Sequence, residues 1–143
     1  MKANELRIGN WVNGDDGPQK VAYLGETIGL WNSIGGTAKY QHNPIISHDI
    51  NNLKPIPLTP EILGRAGFDK YVVTTEGSVW GPSVLTYYKK ETPRFRYISI
   101  RLQELEDEVN YVWEGDFSGY IKSLHQLQNL YYALTGEELQ IEL

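Results

Sequence analysis

The segment SLHQLQNLYYALTG, residues 123–136, decides the fold, because its local chemistry and its hydrophobic spacing agree from end to end. Ser123 followed three residues later by Gln126 is a capping-box start, able to satisfy amide donors that a helix leaves orphaned. Leu124, Leu127, Leu130, Tyr131 and Leu134 recur at steps of three and four, one apolar stripe on a helix. Gly136 falls where the chain leaves the helix in a left-handed conformation. The spacing predicts a helix over about 123–135 whose apolar side needs a sheet to lie on.

Upstream of that helix the sequence reads as strands. Val109 to Trp113 is one, and Gly115 to Gly119 turns the chain into the helix. Ser83 to Lys90 and Arg94 to Gln103 form a hairpin across Glu91-Thr92-Pro93. In its second arm Ile98, Ile100 and Leu102 share one face, and Phe95, Tyr97, Ser99 and Arg101 share the other. Tyr71 to Thr74 and Val79-Trp80 flank a further tight turn at residues 75–78. Leu139 to Leu143 alternates and reads as a final edge strand. The expectation is an α+β arrangement in which Ile98, Ile100 and Leu102 face the leucine stripe.

This α+β module begins at Thr59. Thr59-Pro60-Glu61 places an N-cap, a first-turn proline and a first-turn acid in the order that starts a helix. Gly67 closes that short helix, with Phe68 placed to pack back on it. Residues 1–58 read differently: short strands at 11–12, 20–24, 28–31 and 38–41, glycine-rich turns such as Asn13 to Pro18, and no helical period. Leu53 to Leu58 is extended, and its two prolines confine it to an edge or connector. That pattern predicts a small SH3-like β-barrel as the N-terminal module.

Composition narrows the function classes. The 143 residues are 41% hydrophobic and 22% charged, an ordinary globular mix, with ten Tyr and four Trp. The net charge is −5. Residues 1–58 hold five Lys/Arg against five Asp/Glu, so the whole excess lies in the second half. Such a field does not steer the chain toward a nucleic-acid backbone. The absence of cysteine excludes disulfides, thiolate metal sites and thiol catalysis. MKANELRIGN lacks the apolar core of a signal peptide, and no run approaches the ~18 apolar residues of a membrane span, so a cytoplasmic protein without a membrane partner is expected.

The opening MKANELRIGN, the central KPIPLTPEILGRAGF and the closing LHQLQNLYYALTGEEL together resemble a family of small proteins of Bacteroides-type bacteria and their phages and mobile elements. The resemblance implies a phage or mobile-element context. It carries no catalytic residue or cofactor to this chain.

No catalytic set converges in the sequence, and it calls for no cofactor and no metal. His42, His48 and Asp49 hold metal-ligand residue types, but their spacing fits no ligand set and they read as polar loop residues. His125 reads as exposed or half-exposed helix surface. Glu104, Glu106, Asp107 and Glu108 are a solvated acidic loop, and Asp15-Asp16-Gly17 is a turn. More suggestive is the interleaving of Tyr87, Lys89, Arg94, Phe95, Arg96 and Tyr97 on one hairpin, the combination that single-stranded nucleic-acid binders use. Guarding of a hairpin end by charge explains the same residues. The favoured expectation is a non-enzymatic protein- or peptide-interaction module, with Trp11, Trp31 and Trp80 as a second candidate surface. The alternatives are a single-stranded nucleic-acid binder through residues 87–97 and an enzyme with an unrecognised site.

Overall fold

The computed structural model describes residues 1–32, 44–76, 81, 83–94, 96–104, 109–113 and 119–143. The architecture is α+β, with two antiparallel sheets and one main helix near the C-terminus. The chain divides into two compact units: Met1–Pro57 with Ser123–Leu130, and Leu58–Lys122 with Tyr131–Leu143. The strands expected at 38–41 and at Val79-Trp80 lie outside the described residues.

The first unit is a meander of β1 (Trp11–Gly14), β2 (Gly17–Leu24), β3 (Ile28–Trp31) and β4 (Ile45–His48), ordered β1-β2-β3-β4. The first half of β2 pairs with β1 and the second with β3, the register shifting between Val21 and Tyr23. A 3-10 turn, Ile50–Asn52, follows; its N-cap Asp49 accepts the Asn51 N–H at 2.8 Å. Beyond it the chain returns to β1, where Asn13 and Lys54 exchange backbone hydrogen bonds of 2.9 and 3.0 Å. The described strands form an open sheet rather than the closed barrel expected from the sequence. Alternation along the strands buries Val12, Val21, Ile28 and Leu30 with Leu6 and Leu53 in one core.

The second unit opens on α1 (Pro60–Arg65). The Ile62 N–H donates to Thr59 Oγ1 at 3.2 Å, and Pro60 takes the first turn, where no partner for its nitrogen is needed. At the other end Gly67 sits at φ +78°, with Gly67 N–H to Gly64 O at 2.9 Å and Phe68 N–H to Leu63 O at 3.0 Å. That pair of bonds is a Schellman stop, and it buries Phe68. Five strands follow in chain order: β5 (Asp69–Thr75), β6 (Ser83–Lys90), β7 (Ile98–Glu104), β8 (Val109–Trp113) and β9 (Gly119–Ile121). Tyr88, Ile98, Ile100, Tyr111 and Ile121 are buried, while Leu102 is only half-buried. Burial pushes the Tyr111 phenol up to about 12, with the neighbouring Tyr88 adding to the effect.

Two sequence expectations change here. β9 is an extra strand where only a turn was foreseen. Leu139–Leu143 forms no regular strand, yet its alternation survives as burial, Leu139 and Ile141 inside and Gln140 and Glu142 exposed.

The helix α2 (Leu124–Thr135) begins in the first unit and ends in the second. Its buried face is Leu124, His125, Leu127, Gln128, Tyr131 and Thr135; Leu130 and Leu134 are half-buried. The face is thus rotated from the leucine stripe toward two polar residues, each with partners. Gln128 Oε1 accepts the Trp11 N–H at 2.9 Å, and its Nε2 donates to Gly9 O at 3.3 Å. Ser123 Oγ lies 3.0 Å from His125 Nδ1.

Candidate interaction surface

β5 is the outer strand of the five-stranded sheet, and all seven of its residues are exposed. An edge strand with a free outer side presents unpaired backbone N–H and C=O groups. Charge is confined to Asp69 and Lys70 at its start; Tyr71-Val72-Val73-Thr74-Thr75 is uncharged and rich in β-favouring side chains. Tyr71, Val72 and Val73 remain 49%, 56% and 42% exposed.

The register places Tyr71 opposite Tyr87, Tyr87 opposite Arg101, and Asp69 opposite Lys89. These side chains share one face of the sheet. Lys89 forms no ion pair with Asp69 across the strands; its ammonium lies over the rings of Tyr97, Tyr71 and Tyr87, at 4.8, 5.3 and 5.7 Å from their centroids. Three cation–π contacts replace one screened surface pair. Beside them an open pocket of about 280 Å³ is lined by Gly67, Asp69, Tyr71, Lys89, Lys90, Glu91 and Tyr97. Lys90, one of the lining residues, donates to Ala66 O at the end of α1, at 2.9 Å.

Of the hairpin residues singled out in the sequence, Tyr87, Lys89 and Tyr97 therefore meet around one ammonium. Arg94 and Arg96 are exposed on the connection between β6 and β7, and Phe95 lies outside the described residues. Tyr71 was not singled out; the cross-strand pairing with Tyr87 is what brings it in, and residue spacing within one strand carries no such signal. Two carboxylates, Asp69 and Glu91, share the pocket with the two lysines, so it is not a one-signed cradle.

Trp31, on β3, is 49% exposed, Trp11 is half-buried under the Lys20 ammonium at 5.1 Å, and Trp80 lies outside the described residues. On β2, Tyr23 bonds Thr27 and Ser47 through its hydroxyl, and these bonds hold its phenol below its ordinary range.

Among the described residues, those with catalytic or ligand character lie on separate elements. His125 is 2% exposed, not the surface residue expected, and burial lowers its pKa. His48 is buried with Nδ1 3.5 Å from Asp15, Asp49 caps the 3-10 turn, and His42 lies outside the described residues. Glu104 is exposed, and Glu106, Asp107 and Glu108 are outside the described set. Among the described residues no three His, Asp or Glu side chains group to hold a metal. No described helix is long and apolar enough to cross a membrane. Compared with known proteins, the chain matches no family model, no curated protein and no solved structure.

Proposed function

We propose that this chain is a non-enzymatic interaction module that binds an extended segment of a protein or peptide by strand addition along β5. One observation carries the reading: a seven-residue outer strand, exposed on both faces, whose last five residues hold no charge to ward off pairing. Edges of that kind are kept from aggregating by charge, proline, bulges or cover, and none of the first three guards Tyr71–Thr75. Cover by a partner strand remains. Backbone hydrogen bonds would supply affinity, and the rings of Tyr71 and Tyr87 beside the edge would supply side-chain contact.

The N-terminal unit supports a finer structural proposal. A bent β2 shared between β1 and β3, a 3-10 turn, and Lys54 returning to Asn13 follow the route by which a meander closes into an SH3-like barrel. The resemblance adds a phage or mobile-element setting to this proposal.

A selection from a random linear-peptide library tests the reading. Bound peptides are expected to shift the amide resonances of residues 69–75, and Val73→Lys is expected to abolish binding. Peptides that bind equally well to the Val73→Lys protein would refute strand addition on β5.

A further inference from the structure

The exposed strand is complementary to itself, and we infer that its partner is a second copy of this chain, paired β5 to β5 in antiparallel register about Val73. This inference rests on the strand-addition reading and names the occupant of that edge. An antiparallel pair related by a two-fold axis sets residue i opposite a residue j of the other copy so that their numbers sum to a constant. Centring on Val73 brings Val73 against its own equivalent, Val72 against Thr74, and Tyr71 against Thr75 of the other copy. It also brings Lys70 against Glu76, and by symmetry it does so twice.

Lys70 and Glu76 are both exposed, and neither has an ion-pair partner among the described residues. They are the charged residues that bracket the uncharged run Tyr71–Thr75. Their signs are opposite, so head-to-tail pairing satisfies both, whereas parallel pairing would set like against like. Centring one residue earlier, on Val72, leaves Lys70 opposite Thr74 and gives no charge pair. The chain carries net −5, yet β5 itself holds one Asp and one Lys, so the two copies meet along a neutral line. β-Branched and aromatic cross-strand pairs add side-chain contact on both faces of the joined sheet. A seven-residue edge is small beside the ~1,200 Å² of a standard stable interface, so the dimer is expected in concentration-dependent exchange with monomer.

Sedimentation equilibrium on the full chain from low micromolar to near-millimolar concentration is the test. The wild type is expected to dimerise. Lys70→Glu and Glu76→Lys each turn two attractive cross-strand pairs into two repulsive ones, and each should weaken dimerisation roughly ten- to hundred-fold. The double variant K70E/E76K restores opposite charges and should recover wild-type association. Both positions are exposed, and circular dichroism is expected to be unchanged in all three variants. A wild type that stays monomeric throughout would overturn the inference while leaving peptide binding on β5 to stand or fall by the library selection. A dimer indifferent to both single variants, or not rescued by the double, would equally overturn it.

Discussion

Replacing Gln128 by Leu should damage the first unit well beyond what its place on a helix suggests. The side chain is 2% exposed, and its amide both accepts the Trp11 N–H and donates to Gly9 O. Leucine fills a similar volume but offers neither group, so two backbone partners are left unmatched. Each stranded group costs about 1–3 kcal/mol when water cannot reach it, and partial relaxation brings the expected loss to about 2–4 kcal/mol. Urea unfolding measures the total, and hydrogen exchange at the Trp11 amide reads the local bond. Gln128→Glu refines the argument. A carboxylate keeps the acceptor for Trp11 but turns its second oxygen on Gly9 O, so its folded-state pKa is raised above the unfolded ~4.3. A raised acid binds more protons folded than unfolded, so the variant should regain stability relative to wild type as pH falls through the folded-state pKa. A Gln128→Leu protein within about 0.5 kcal/mol of wild type, with unchanged Trp11 exchange, would refute the reasoning.

Two further outcomes follow from polar groups in confined places. His125 has its pKa lowered chiefly by burial, so its stabilising neutral form is complete above the unfolded value of ~6.5 and is lost as pH falls through that value toward the folded one; His125→Gln should flatten the stability profile below pH ~6.5 in urea titrations. Gly67→Ala should cost about 1–3 kcal/mol by thermal unfolding, because φ +78° suits glycine and the new Cβ would stand 2.6 Å from Lys90 Nζ; removing that amine with Lys90→Met should reduce the additional cost of Gly67→Ala.

Local chemistry made the element ends legible. Thr59, Pro60 and Gly67 each act on atoms within a few residues, and the α1 cap and stop follow from them directly. The hairpin β6–β7 was legible for the same reason, since Glu91-Thr92-Pro93 separates two alternating runs. The helix α2 was found, but its orientation was not. Leucine count favoured a stripe through Leu130 and Leu134, whereas the buried face includes His125, bonded to the nearby Ser123, and Gln128, whose partners Gly9 and Trp11 are set by tertiary pairing. The candidate surface divides likewise: Tyr87, Lys89 and Tyr97 were visible as an interleaved run, while Tyr71 and the bare edge of β5 depend on strand order, which a linear pattern does not encode.

Because Ser123–Leu130 belongs with Met1–Pro57 and Tyr131–Leu143 with Leu58–Lys122, the two units interleave along the chain, and neither has all its residues until α2 has been made. The Gln128 bonds to Trp11 and Gly9 in the first unit can form only after more than sixty intervening residues, 58–122, have been synthesised. A nascent fragment stopped anywhere before α2 therefore lacks part of both units, and the same helix supplies residues to each.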